Sequence, residues 1–246
     1  MSYCPGEYWE KRLSEQFDIT RTGTLGFSPE YNKWLYRAKI RALHYILKKY
    51  AIQITKKSII DLGCGTGFFI DFYSQFAPSE ITGIDITKTS VSQLSLRYPK
   101  YSFIQGKIES HEMQELGKFD IVNVFDVLYH LKITEDFTCV MQNIASITKA
   151  GGHIFITDLL GTSDIDAAEH VTFRGIATYK SAFDALGIEI IDVVPMYNGL
   201  NKQFKYLKVN IINRYDKLLA PILYFLDGIF ISHGRSNMKL LVARKI

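Results

Sequence analysis

Cysteine, acidic excess and long apolar runs are all scarce in this 246-residue chain, and each shortage excludes a class of protein. The three cysteines, Cys4, Cys64 and Cys139, have no CxxC spacing. Neither a disulfide framework nor a zinc module is expected, and the odd count points to a reducing, cytoplasmic setting. No group of His and acidic residues has metal-ligand spacing, so no metal is assigned. Residues 1–7 carry no apolar core of the kind a secretion signal needs. The most apolar stretch, 218–231, is broken by Pro221, Asp227 and Gly228. It falls short of the roughly 18 apolar residues that a spanning helix requires. It reads as a buried or substrate-facing helix, and no stable membrane insertion is expected. The net charge is only +4. The basic pairs Lys11-Arg12, Lys48-Lys49, Lys56-Lys57 and Arg244-Lys245 are scattered rather than gathered on one face, which argues against a nucleic-acid partner. With 47% hydrophobic and 22% charged residues, disorder and collagen-like repeats are excluded as well.

What is present is an α/β pattern. Residues 1–57 precede any strand signal and form a helical N-terminal cap. One helix is expected over 8–17 and a longer one over 29–50, where Ser28 is the N-cap and Pro29 the first helical residue. The link 20–26 reads as mobile. From Ser58 short apolar strands alternate with helices. Strands are expected at 58–62, 80–84, 101–104, 119–124, 153–157, 188–194 and 238–243. Helices are expected at 68–76, 87–97, 135–147 and 179–186. Strands separated by helices of this length make βαβ units and a doubly wound parallel sheet. The core is assigned to 58–194 and its final strand to 238–246. The insertion 195–237 is too long for a simple loop and is expected to cover the carboxyl edge of the sheet together with 20–26.

The densest signal is Asp61-Leu62-Gly63-Cys64-Gly65-Thr66-Gly67-Phe68, where an apolar strand ends in an acid and passes through three alternating glycines into a helix. Glycines let a ligand approach the backbone closely, and in a doubly wound sheet the ligand sits beyond the carboxyl ends of the strands. The spacing is G-x-G-x-G. A dinucleotide loop wants a small residue where Phe68 stands, which disfavours a pyrophosphate ligand. Asp61 suits a cationic group and repels phosphate. Asp85 closes the next strand, Ile81-Thr82-Gly83-Ile84-Asp85, where an acid binds ribose hydroxyls; the plainer alternative is a helix cap.

These residues resemble the class I S-adenosylmethionine-dependent methyltransferases. The resemblance runs from about Ser58 to Leu160. It rests on Asp61–Gly67, on Gly83-Ile84-Asp85, on Phe119-Asp120-Ile121-Val122, on Phe125-Asp126-Val127-Leu128-Tyr129-His130-Leu131 and on Lys149-Ala150-Gly151-Gly152. Ala150 departs from the usual proline. The resemblance implies a Rossmann-like, mostly parallel seven-stranded sheet of order 3-2-1-4-5-7-6 with the last strand antiparallel. It implies S-adenosyl-L-methionine as cofactor: Gly63, Cys64 and Gly65 along its methionine part, Asp61 toward its amino group, Asp85 on the ribose, and a carbonyl of Phe125 near the methionine end. The adenine turn falls at Gln105-Gly106-Lys107-Ile108. The acid usual there is replaced by Lys107, which cannot accept a hydrogen bond, so adenine is left to backbone groups of Lys107 and Ile108 and to packing on Ile86. Arg37 is a candidate partner for the cofactor carboxylate.

Methyl transfer from a sulfonium asks the protein mainly to position the acceptor and exclude water. A hydroxyl acceptor also gains from a general base. His130, just after the fourth strand, is the candidate base, its alternative being a packing role. His170 and Arg174, four residues apart and after the fifth strand, would share a helical face above the same edge, unless they belong to an exposed turn. The expected reaction is transfer to an oxygen, with nitrogen second, of a small molecule, sugar, surface glycan or secondary metabolite. The alternatives are a non-catalytic cofactor-binding subunit, and an NAD-dependent oxidoreductase, which Phe68 disfavours. The N/D-P-P-Y/F string of base methylation, the Pro-Cys of carbon-5 chemistry and the paired glutamates of arginine methylation are all missing after the fourth strand.

Overall fold

A computed structural model describes residues 4–24, 26–200, 215–230 and 238–246. Of the insertion expected to cover the site, residues 201–214 and 231–237 lie outside the described residues, among them the apolar Phe204, Tyr206 and Leu207 and the cationic Lys202, Lys205 and Lys208, as does Leu25 of the link 20–26.

The chain opens with three helices: α1 (Pro5–Glu15), the short α2 (Ile19–Thr22) and α3 (Pro29–Lys49). Ser28 Oγ accepts the amide of Tyr31 at 3.1 Å, the expected cap. The link contains a helical turn rather than irregular chain, because Asp18 accepts both the amide and the hydroxyl of Thr20 (2.8 and 2.6 Å) and so caps α2. The core follows as β1 (Ser58–Leu62), α4 (Phe68–Ser74), β2 (Glu80–Asp85), α5 (Lys88–Arg97), β3 (Ser102–Gln105), β4 (Phe119–Val124), α6 (Thr134–Ile147) and β5 (Thr148–Asp158). Then come a hairpin of β6 (Ile165–Ala168) and β7 (Val171–Phe173), α7 (Ile176–Asp184), β8 (Ile188–Tyr197), α8 (Asp216–Phe230) and β9 (Met238–Lys245).

The seven-stranded sheet has the order β3-β2-β1-β4-β5-β9-β8. Counting only its own strands, this is the expected 3-2-1-4-5-7-6, with β9 antiparallel to both neighbours and the other pairs parallel. Successive residues of a strand face opposite sides, and both sides are buried here. Ile59, Ile81, Ile121, Phe155 and Val242 face α3 and α4; Ile60, Ile84, Val122, Ile154 and Leu241 face α6 and α7. Burial on both faces explains why these strands read as continuous apolar runs. All parallel strands therefore deliver their carboxyl ends to one edge, where the glycine loop lies.

Two expectations need correction. Residues 169–174 are not helical: they make the turn and second strand of the β6–β7 hairpin, so His170 and Arg174 do not share a helix face. Of the stretch 218–231 the described residues, 218–230, are helical but not buried. α8 lies on α3, while Leu218, Ile222, Phe225, Leu226 and Ile229 face outward.

Candidate active site

The loop after β1 takes its shape from glycine. Gly63 and Gly65 have φ of +78° and +51°, the left-handed region that costs other residues strain. A Cβ on Gly63 would stand 2.3 Å from a methyl of Val127. The loop is strapped to the end of β2. The amides of Gly63 and Cys64 donate to the Ile84 carbonyl (2.8 and 2.9 Å), and the Gly65 amide donates to Asp85 Oδ2 at 2.8 Å. It forms one wall of a cavity of about 310 Å³ over the carboxyl edge.

The structure brings most of the expected cofactor residues to this cavity. Gly63, Cys64, Gly65, Asp85, Ile86, Lys107, Ile108 and Phe125 all line it. Asp85 is buried; its Oδ1 accepts the amide and hydroxyl of Thr87 (2.9 and 2.7 Å). It thus braces the loop and faces the cavity at once, while the N-cap of α5 is Thr87, whose hydroxyl accepts the Ser90 amide at 3.3 Å. Burial raises its pKa despite these donors. Asp61 stands behind the loop rather than in the cavity wall. Asn123 donates to its Oδ1 at 2.6 Å, and Tyr73 in turn donates to Asn123 Oδ1 at 2.9 Å. Asp61 Oδ2 is buried with no hydrogen-bond partner among the described residues. Burial, with the charge of Asp85 nearby, pushes the Asp61 carboxyl up to about 7. An unpartnered buried acceptor at this position is one that a cationic ligand group would satisfy, directly or through a water.

Three features of the site escaped the sequence reading. Glu109 lines the cavity in the same turn as Lys107, whose Nζ is 4.0 Å from its carboxylate. Its carboxylate is an acceptor where Lys107 can only donate, and the visible signal was an acid two residues further on. Lys39 of α3 pairs with Asp126 in the cavity wall. Burial alone would lower the Lys39 pKa, but Asp126 holds it above the usual value. Asp126 has φ +62° and is held there by Thr157, whose hydroxyl accepts its amide at 2.8 Å. Third, α1 covers the cavity, placing Trp9 and Leu13 in its wall. Glu10 ties α1 down by accepting the amide of Lys88 (2.7 Å) and the hydroxyl of Thr89 (2.5 Å) at the start of α5. The Thr89 hydroxyl is the main cause that keeps the Glu10 pKa low. Thr22 and Tyr36, which share a hydrogen bond of 2.9 Å, complete this side. None of the described residues of 195–237 lines the cavity; among the described residues its cover comes from the N-terminal helices.

The candidate catalytic residues separate. His130 lines the cavity, edge-on to Trp9 with ring centroids 5.3 Å apart. Burial pushes its imidazole down to about 4, so it is neutral at pH 7. Its ring is hydrogen-bonded to the backbone of His170, while Nδ1 is buried without a partner among the described residues. That leaves Nδ1 as the acceptor nitrogen. His170 is not in the wall; its ring lies parallel to that of His130 at 6.2 Å. Arg174 is not in the wall either. Its guanidinium donates to the carbonyls of Leu128 (3.0 Å) and Leu131 (2.5 Å) and lies 4.0 Å over Phe137. It braces the turn that carries His130. Arg37 stays outside the cavity, stacked at 4.2 Å over Trp34. Arg12 on α1 is not in the wall either: it lies over the Trp9 ring at 4.9 Å and donates from Nη1 to the Tyr8 hydroxyl at 3.1 Å, with Nη2 buried and unpartnered among the described residues. Asp158 is a satisfied core acid, taking the Tyr179 hydroxyl at 2.7 Å and the Leu159 amide at 2.6 Å.

Residues 31–193 match the model of a methyltransferase domain. The chain belongs to this family. Membership bears out the methyltransferase assignment carried by Asp61–Gly67. Among curated proteins, the ubiquinone biosynthesis O-methyltransferase of Vibrio parahaemolyticus is 29% identical over 131 residues, 52% of this chain and 54% of that one. The Proteus mirabilis protein of the same name is 26% identical, over 52% of this chain and 51% of that one. The chain thus spans about half the length of the curated relatives it matches. Solved structures share the fold more fully. The N-methyltransferase NodS of Bradyrhizobium japonicum, crystallised with S-adenosyl-L-homocysteine, superposes with a TM-score of 0.61 at 14% identity, covering 97% of this chain and 98% of that one. The magnesium protoporphyrin IX methyltransferase of Synechocystis gives 0.60 at 13% identity, covering 98% and 94%.

Proposed function

We propose that this methyltransferase moves a methyl group from S-adenosyl-L-methionine to an oxygen of a small, partly apolar hydroxylated acceptor, with nitrogen as the second choice. The residues present fit the cofactor. The unpartnered Asp61 Oδ2 suits its ammonium group, Asp85 its ribose diol, and Glu109 with the backbone of Lys107 and Ile108 its adenine. When bound, the cofactor supplies a methyl group already activated by the sulfonium.

The protein's share is orientation, water exclusion and one proton. The observation that carries the oxygen reading is His130: a neutral imidazole in the cavity wall whose buried Nδ1 has no partner among the described residues. Such a nitrogen accepts a proton from a hydroxyl as its oxygen becomes nucleophilic. The backbone of His170 fixes the tautomer, and Arg174 holds the turn beneath it. The aromatic walls, from Trp9, Phe69 and Phe125, suit an apolar or aromatic acceptor better than a sugar polymer. The O-methyltransferase names of the curated relatives support the same choice of atom. The test is incubation with methyl-labelled S-adenosylmethionine and a panel of hydroxylated aromatics, amines and sugars. The reading predicts a product heavier by one methylene at oxygen, and a His130→Asn variant that loses turnover but not cofactor affinity. Methylation at nitrogen unaffected by His130→Asn would contradict it.

A further inference from the structure

The outward face of α8 is apolar. Leu218, Ile222, Phe225, Leu226 and Ile229 fall within an arc of roughly 100° on the helix. All five are exposed, Leu218 by 66% and Phe225 by 67%. Single exposed apolar side chains need no explanation, but a contiguous stripe does. The opposite face is already used. Tyr224 packs on Trp34 of α3 with ring centroids 5.2 Å apart, and Arg41 donates to the Tyr224 carbonyl at 2.6 Å. The helix is therefore held with its stripe outward.

Its two acids are turned away from that stripe. Asp216 is buried beneath Ser28 Oγ. Asp227 is buried and accepts the amides of Asn198, Gly199 and Leu200 at 3.1, 2.7 and 3.0 Å. The charges beside the stripe are basic. Lys217 is exposed at its flank. α3, against which α8 lies, carries the exposed Lys33, Arg37 and Lys48 along one side, Arg41 being turned onto the Tyr224 carbonyl, and its one acid is Glu30, paired with Lys33 at 3.2 Å. An apolar stripe flanked by cations, with acids withdrawn, is the pattern of a helix lying in the headgroup layer of an anionic bilayer. Two copies of this chain meeting stripe to stripe would bring their basic rows together instead.

We propose that α8, with the basic side of α3, docks this protein peripherally on an anionic lipid surface. No described helix is long and apolar enough to cross a membrane; contact is interfacial. The proposal stands independently of the methyl-transfer reading.

Flotation of the full chain with vesicles tests it. Vesicles of phosphatidylcholine with about 30% phosphatidylglycerol should carry the protein up, pure phosphatidylcholine should do so weakly, and salt raised from about 0.1 to 0.5 M should release it. Leu218→Glu with Phe225→Glu should lower binding by roughly tenfold or more for each apolar side chain lost. Lys217→Glu with Lys48→Glu should lower it less, and chiefly at low salt. Both variants should keep the wild-type circular dichroism and affinity for S-adenosylhomocysteine, since these residues lie outside the cavity. Failure of the wild type to float overturns the proposal. Undiminished flotation of the first variant overturns it too. So does a dimer, seen by sedimentation, that this variant dissociates while vesicles bind neither form.

Discussion

Replacing Asp61 by Asn should move ligand affinity and apo stability in opposite directions. In the apo protein, Asp61 keeps one buried oxygen without a partner and its carboxyl titrates at about 7, against an ordinary value near 3.8. A carboxyl whose folded-state pKa is raised binds its proton more tightly in the folded than in the unfolded chain. Folding stability therefore falls as pH rises from about 4 to about 7, and stays low above that. The ionisation penalty at pH 8 is at most about 4 kcal/mol by this shift. An Asn keeps the bond from Asn123 but leaves an amide donor unsatisfied, at about 1–3 kcal/mol. The net gain for the apo variant at pH 8 is about 1–3 kcal/mol, or roughly 2–4 °C per kcal/mol for a chain of this size. At pH 5 the ionisation penalty has shrunk to about 1.6 kcal/mol, set by the unfolded chain's carboxyl alone, and the unsatisfied amide offsets it, so the gain should vanish. Ligand binding runs the other way. Losing a charge-assisted contact to an ammonium costs about 1.5–3 kcal/mol, a tenfold to hundredfold weakening. Wild-type affinity should also decline as pH falls from 7 to 5, approaching tenfold per pH unit, while the variant's stays flat. Thermal scans of the apo protein and titration calorimetry with S-adenosylhomocysteine, both at pH 5 and 8, read all four quantities. An Asp61→Asn protein that binds as tightly as wild type, or is less stable when empty at pH 8, refutes the reasoning.

Other substitutions probe the frame around the site. Lys39→Met strands Asp126 without its partner and should cost about 3–5 kcal/mol in urea unfolding, part of it recovered by adding Asp126→Asn. Gly63→Ala drives a Cβ against Val127 at a positive φ; it should lower the melting temperature and abolish S-adenosylhomocysteine binding, since overpacking alone costs about 1–3 kcal/mol. Arg174→Ala removes the donors to Leu128 and Leu131. It should cost about 2–4 kcal/mol and reduce kcat through a displaced His130, with cofactor affinity little changed; an unchanged melting temperature would exclude the brace.

The sheet was legible because its information is local. Apolar runs such as Ile59–Leu62 and Ile121–Val124, each interrupted by a single polar residue (Asp61, Asn123) and separated by helix-length segments, leave few alternatives to a parallel sheet buried on both faces. The glycine loop was legible because alternating glycines after a strand-end acid are required by backbone conformation, and φ of +78° and +51° at Gly63 and Gly65 is that requirement met. What sequence could not give were partners distant in the chain. Nothing near Lys39 announces Asp126, and nothing near Glu10 announces the amides of Lys88 and Thr89. Arg174 reads as a free cation until the carbonyls of Leu128 and Leu131 are placed beneath it. The hairpin 165–173 was missed because its strands are too short to show alternation, and spacing by four imitated a helix. In 218–231 composition alone gave burial. The arrangement on the helix, with Asp216 and Asp227 turned inward and Leu218, Ile222 and Phe225 outward, shows the reverse.

The central claim is that the cavity over the glycine loop holds S-adenosylmethionine rather than a dinucleotide. Titration calorimetry of the full chain with S-adenosylmethionine, S-adenosylhomocysteine and NAD tests it most directly. The account predicts one-to-one binding of both sulfur compounds, each displacing the other, with binding weakened by Asp85→Ala, and no heat from NAD. Tighter binding of NAD than of either sulfur compound would contradict it.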